Sequence, residues 1–143
     1  MSRTTSQMRG GRTMNEEHYE EFKDELNSYL MKRFNYKSAP IKYLRLSTLN
    51  AQRAAFDIYL RLPPVAHVTS EQTLVVARIS FRKTGVGHGR SLLIFLARQS
   101  TKYDYDYIAI EQTNKNSSEF AKKLGFKQID EKNWIIEAVK LLD

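Results

Sequence analysis

The chain has 143 residues, 41% hydrophobic and 27% charged, the length and make-up of one compact domain with little room for a second. It contains no cysteine, which excludes a disulfide scaffold, a thiolate zinc site, an iron–sulfur cluster and a cysteine nucleophile, and fits a reducing compartment. The formal net charge is +7; no stretch reaches the roughly 18 consecutive apolar residues of a membrane span, and the first residues lack the apolar core of a secretory signal, so a soluble, cytoplasmic protein without a membrane partner is expected.

Residues 1–14 hold Arg3, Arg9 and Arg12 with no acid and no hydrophobic period, and read as a disordered basic arm ahead of a single domain over 15–143. Asn15 as a cap, Glu16 and Glu17 in a first turn, and Tyr19, Phe22, Leu26, Tyr29, Leu30 and Phe34 at helical spacing predict an amphipathic helix over 16–34. After Pro40 a β-like run, Ile41 to Leu49, leads through a turn at Asn50–Ala51–Gln52 to a second run. There Phe56, Ile58, Leu60 and Leu62 alternate with Asp57, Tyr59 and Arg61, until Pro63–Pro64 ends it. A third run, Thr73 to Phe81, completes a predicted antiparallel meander.

The pattern then changes to strand, glycine turn and helix. Thr73–Phe81 runs into Arg82-Lys83-Thr84-Gly85-Val86-Gly87-His88-Gly89, and Arg90 to Lys102 reads as a helix with Leu92, Leu93, Leu96 and Ala97 inward. Tyr107 to Glu111 is a short strand, Ser117 to Leu124 a short helix closed by Gly125, and Phe126–Asp130 with Asn133–Lys140 a closing hairpin. Helices and strands alternate around one sheet, an α/β or mixed α+β class.

Charge follows the same division. Residues 32–102 hold thirteen Lys/Arg against Asp57 and Glu71, whereas residues 15–31 hold six acids against Lys23. A basic body of this kind suits a phosphate-bearing cofactor, an acidic protein or a nucleic acid, and equally a solvated surface with no partner. Gly85, Gly87 and Gly89, between an apolar strand and an apolar helix, let backbone N–H groups converge where no Cβ stands in the way. With the helix N-terminus, Arg82, Lys83 and Arg90, they make a candidate phosphate cradle. The turn is neither a nucleotide phosphate loop, lacking Gly-Lys-Ser/Thr, nor the dinucleotide G-x-G-x-x-G, whose last position is Arg90 or Leu92 here.

These residues resemble the GCN5-related N-acetyltransferase (GNAT) family, which binds acetyl-coenzyme A through [Q/R]-x-x-G-x-G/A between a strand and a helix. Gly87-His88-Gly89-Arg90-Ser91-Leu92-Leu93 fits that tail, with Thr84 in place of Gln or Arg; a second register, on Arg82, Gly85 and Gly87, delays the leucine pair by two residues. Downstream, Ile108, Ile110, Asn114 and Phe120-Ala121-Lys122-Lys123-Leu124-Gly125-Phe126 match a second family block, and the two blocks together span about 73–130.

The resemblance implies a GNAT-like fold, a central mixed sheet that splays apart and is flanked by helices, and direct acetyl transfer from acetyl-CoA to a primary amine in a ternary complex. It implies that the backbone of Ile79, Ser80 and Phe81 meets the pantetheine arm, that the turn Thr84, Gly85, Val86, Gly87, His88, Gly89, Arg90 and Ser91 holds the pyrophosphate, and that Asn114 takes a cofactor-side amide role. Glu111 is the best placed acid to take the amine's proton, and a surface glutamate paired with a base is its competing reading. His88 is read as giving the turn its backbone N–H, His67 as a loop residue and His18 as a surface residue. Ala121 stands where the family often has a tyrosine general acid, leaving Tyr36, Tyr59, Tyr103 to Tyr107 or solvent to substitute. Alternatives are a CoA-binding module without catalysis, and a GNAT that docks nucleic acid or nucleoprotein through its basic surface. The family's frequent dimerisation implies a homodimer.

Overall fold

The computed structural model describes the backbone of residues 8–9, 12–63, 72–111 and 115–143, and the side chains of 17–63, 72–111 and 117–143. Within the stretch read as an arm, Met8–Arg9 (β1) and Arg12–Thr13 (β2) pair antiparallel, and α1 follows over Met14–Phe34. A six-stranded sheet comes next. Its strands are Thr48–Arg53 (β3), Phe56–Arg61 (β4), Thr73–Phe81 (β5), Tyr107–Ile110 (β6), Lys127–Gln128 (β7) and Trp134–Glu137 (β8), in the order β3-β4-β5-β6-β8-β7. Only β5 and β6 run parallel, joined through α2, His88–Lys102; α3, Lys115–Lys123, follows β6, and a 3-10 helix, Ala138–Leu142, packs on α2 at the end. No helix among the described residues is long and apolar enough to cross a membrane.

Helix α1 buries Phe22, Leu26 and Leu30, and α2 buries Leu92, Leu93, Leu96 and Ala97, on the spacing the sequence shows. The two helices pack together. Tyr29 stacks on Phe95 with centroids 4.5 Å apart, and the Gln99 amide donates to Glu25 at 2.5 Å. His18, read as a surface residue, is half-buried instead: its ring lies 4.2 Å from that of Tyr103 and hydrogen-bonds the Tyr105 hydroxyl. Helix α3 ends in a Schellman cap, with Phe126 N–H donating to Ala121 at 3.0 Å and Gly125 N–H to Lys122 at 3.1 Å, while Gly125 takes φ +95°.

Two expected elements differ. The first strand begins at Thr48 rather than Ile41, and the turn falls at Ala54–Ala55 rather than Asn50–Gln52, because the β3–β4 register puts Leu49 and Ala51 into the core with Leu60 and Ile58 opposite. Ile41 has a side-chain partner in place of a strand: Asn27 accepts its N–H at 2.9 Å and donates to its carbonyl at 2.8 Å. The closing strand stops at Glu137, where Ala138 N–H turns to the Asp106 carbonyl at 3.0 Å and the 3-10 helix begins.

One irregularity positions everything that follows. Opposite β4, Arg78 pairs with Tyr59 but Val76 pairs with Leu60, which leaves Ala77 as an extra residue in β5. This β-bulge changes the phase of the strand. Leu74 and Val76 before it, and Ile79 and Phe81 after it, therefore share the face that packs with Leu60, Ile58 and Phe56.

Candidate functional site

The ladder between β5 and β6 holds for four residue pairs, Thr73–Tyr107 to Val76–Ile110, with Glu111 N–H closing it onto the Val76 carbonyl at 3.0 Å. The bulge at Ala77 comes immediately after, and from there β5 has no partner on its β6 side among the described residues. Arg82 N–H donates to the Ala55 carbonyl at 3.0 Å, toward β4. By the two-residue alternation of an antiparallel ladder, Ser80 and Arg78 also bond toward β4, so the N–H and C=O of Ile79 and Phe81 face the opening.

The opening is a cleft of about 590 Å³. Strand β5 contributes Ile79, Ser80 and Phe81, the turn contributes Lys83, Thr84, Gly85 and Gly87, and α2 contributes His88, Gly89 and Arg90. Ser117 and Phe120 of α3 close the far side.

Glycine is needed in this turn for conformation. Gly87, the N-cap of α2, has φ +88°, a region where a side chain is strained, and its carbonyl accepts the first helical bond from Ser91 N–H at 3.0 Å. The N–H groups of His88, Gly89 and Arg90 thus precede the helical ladder and have no carbonyl within it. They carry the positive end of the helix dipole, with Lys83 and Arg90 beside them. At Gly85 and Gly87 nothing among the described residues lies within 4 Å of where a Cβ would stand. Free donors, positive charge and open space fit a bound pyrophosphate.

Of the residues named from sequence for the turn, two do not line the cleft. Val86 is 55% exposed, and Ser91 spends its N–H on the helix and its hydroxyl on Tyr29 Oη at 2.6 Å. Asn114 and His67 lie outside the described residues. Glu111 stands at the fork of β5 and β6, but its carboxylate is engaged: Arg61 Nη2 donates to it at 2.5 Å, the side chains being 42% and 31% exposed. Ala121 is fully buried.

Among the described residues none of the tyrosines considered as substitutes lines the cleft. Tyr36 Oη accepts Ala55 N–H at 3.4 Å, Tyr59 lies under the Arg78 guanidinium, and Tyr103 Oη shares its proton between Glu21 and Glu25 at 2.6 and 2.8 Å. Tyr107 begins β6, at the end away from the fork.

Four contributors are not among the site residues named from sequence. Ser117 and Phe120 belong to a helix whose approach to the glycine turn is purely tertiary, and Arg61 meets Glu111 across 50 residues of chain. Arg33, near the end of α1, donates from Nε to His88 Nδ1 at 3.0 Å. The His88 ring packs beside the stacked pair Phe34 and Phe81, with centroids 4.6 and 5.5 Å away. Burial first, and then the charges of Arg33 and Lys83, hold its pKa below the ordinary imidazole value.

No family model matches the sequence, and no curated protein matches it. Solved structures do. A tyrosine-to-phenylalanine mutant of the AtaT toxin bound to the C-terminus of the antitoxin AtaR superposes with a TM-score of 0.51 at 14% identity, over 66% of this chain and 68% of that one. The KacTA–DNA complex gives 0.49 at 15% identity over 83% and 82%. Arabidopsis thaliana Naa50 in complex with the bisubstrate analogue CoA-Ac-MVNAL gives 0.46 at 19% over 78% and 91%. The AtaT structure, the one of these three with a TM-score above 0.5, has the GNAT fold, and so does this chain, as the resemblance implied.

Proposed function

We propose that the protein is an N-acetyltransferase that uses acetyl-CoA and a primary amine. The observation that carries this reading is the bulge at Ala77 beside the end of the β5–β6 ladder, past which β5 lines one cleft together with the glycine turn. A gap with one row of free backbone groups suits an extended amide-bearing arm, and a cradle of N–H groups suits the pyrophosphate at its end.

In this reading Ile79 and Phe81 pair through their backbones with the pantetheine amides, and His88, Gly89 and Arg90 hold the pyrophosphate through their N–H groups, with Lys83 and Arg90 adding charge. Thr84 and Gly85 shape the turn, and Asn114 keeps the amide role that the resemblance implies. Bound acetyl-CoA supplies an activated thioester carbonyl. The amine must reach it neutral, yet a lysine with a pKa of about 10.4 is almost wholly charged at pH 7, so a group at the fork must take its proton. Glu111 has that position, with Arg61 orienting its carboxylate. The absence of a phenol in the described cleft leaves the departing thiolate to solvent.

The second reading, a CoA-binding module without catalysis, is favoured by the same two features: Ala121 buried where a phenol is common, and Glu111 tied to Arg61. Thiol release from acetyl-CoA, measured against a panel of a polyamine, a lysine peptide and peptides with free α-amino groups, separates the two. Amine-dependent release supports the enzyme. A protein that binds acetyl-CoA and releases no thiol with any amine is the module.

A further inference from the structure

His88 opens α2 on one side of the cleft, and Arg33 reaches it from the end of α1, 55 residues earlier. The hydrogen bond between them has only one sense. A guanidinium nitrogen donates and never accepts, so His88 Nδ1 must be the unprotonated, accepting nitrogen, and the imidazole's single proton must sit on Nε2. The ring packs against Phe34 from α1 and Phe81 from β5. The charged groups acting on the ring, Arg33 from α1 and Lys83 from the turn, are both cations, so both oppose a second proton.

We propose that Arg33 is a positioning residue that fixes His88 as the Nε2–H tautomer, making it a neutral hydrogen-bond donor to an anionic oxygen of the ligand in the cleft. The inference rests on the phosphate reading of the cleft and deepens it, because the resemblance gives this position only a backbone N–H. It carries a functional consequence. A free histidine loses a donor proton as pH rises through its pKa, whereas a tautomer fixed by a permanently charged guanidinium keeps the same single donor through the physiological range.

Two measurements test it. The first is the ¹⁵N spectrum of the histidine-labelled, ligand-free protein: His88 is expected as a single Nε2–H tautomer in wild type and as a mixture in Arg33→Met. An Nδ1–H signal in wild type overturns the proposal. The second is a double-mutant cycle on coenzyme A affinity, using Arg33→Met, His88→Phe, whose ring retains the packing with Phe34 and Phe81, and the pair. Each single variant is expected to weaken binding about tenfold, and the pair also about tenfold rather than a hundredfold, because both remove one interaction. Additive losses would mean that Arg33 acts as an independent charge, which also overturns it. A wild-type protein that binds no coenzyme A removes the phosphate reading, and with it the ligand half of the inference. The tautomer half is decided by the spectrum alone.

Discussion

Gly89 and Phe120 meet so closely that a β-carbon on Gly89 would stand 2.8 Å from the ring's Cζ and 3.1 Å from Cε1. The first turn of α2 and the α3 side of the cleft are therefore fitted to each other through a missing side chain. Real side chains do not approach to 2.8 Å, so Gly89→Ala must displace the Phe120 ring, and both residues line the cleft. The expected outcome is a folded protein with an unchanged far-UV spectrum and coenzyme A affinity weakened by about tenfold or more, the range in which such misplacements act. Calorimetric titration of the variant measures it.

Asn27 is only 6% exposed and satisfies both backbone groups of Ile41. Asn27→Leu keeps the number and branching of side-chain heavy atoms but strands a buried N–H and a buried C=O. The expected loss is about 2–3 kcal/mol of unfolding free energy, seen as a lower urea midpoint at unchanged slope.

Glu25 joins α1 to α2. Burial alone raises its pKa, but hydrogen bonds from Lys102, Tyr103 and Gln99 outweigh this and hold it below the ordinary value of 4.5. A carboxyl whose folded pKa is depressed contributes stability that is complete above its unfolded value and is lost as pH falls through the folded one. The melting temperature should therefore fall as pH drops below about 4.5, and Glu25→Gln should flatten that limb while leaving the neutral region lower than wild type. Melts between pH 3 and 7 decide it, and parallel curves for the two proteins would place the acid sensitivity in another group.

Glu111 is assigned the amine's proton. Glu111→Gln keeps an acceptor for Arg61 and removes the base, so turnover should fall by about a hundredfold or more while coenzyme A still binds. Unchanged turnover would leave Glu111 as the ion-pair partner of Arg61 and nothing more.

Much of this arrangement was legible in the sequence because local pattern and tertiary need agree there. Strand β5 spans Thr73–Phe81 as expected, β4 alternates as its residues do, and Gly125 ends α3 because only a residue tolerant of φ +95° closes that cap well. Strand β3 begins later than the local pattern suggests, for a physical reason. Ile41 and Leu44 look like strand residues, but the register with β4 buries Leu49 and Ala51, while Asn27 takes the Ile41 backbone and Tyr43 is left 85% exposed. The bulge left a faint trace, a change of inward parity from Leu74 and Val76 to Ile79 and Phe81, which alternation alone does not locate. The Arg61–Glu111 and Arg33–His88 contacts join residues 50 and 55 positions apart, and no local rule reaches that far.

Every role assigned to the cleft requires it to be an acyl-coenzyme A site. A thermal-shift titration of the protein with acetyl-CoA, coenzyme A, ATP and NAD tests this most directly, since a ligand at about 100 times its dissociation constant stabilises by roughly 2.7 kcal/mol. The melting temperature is expected to rise with the two coenzymes alone, and to rise less in Gly89→Ala. A folded protein that melts at the same temperature with and without either coenzyme would contradict it.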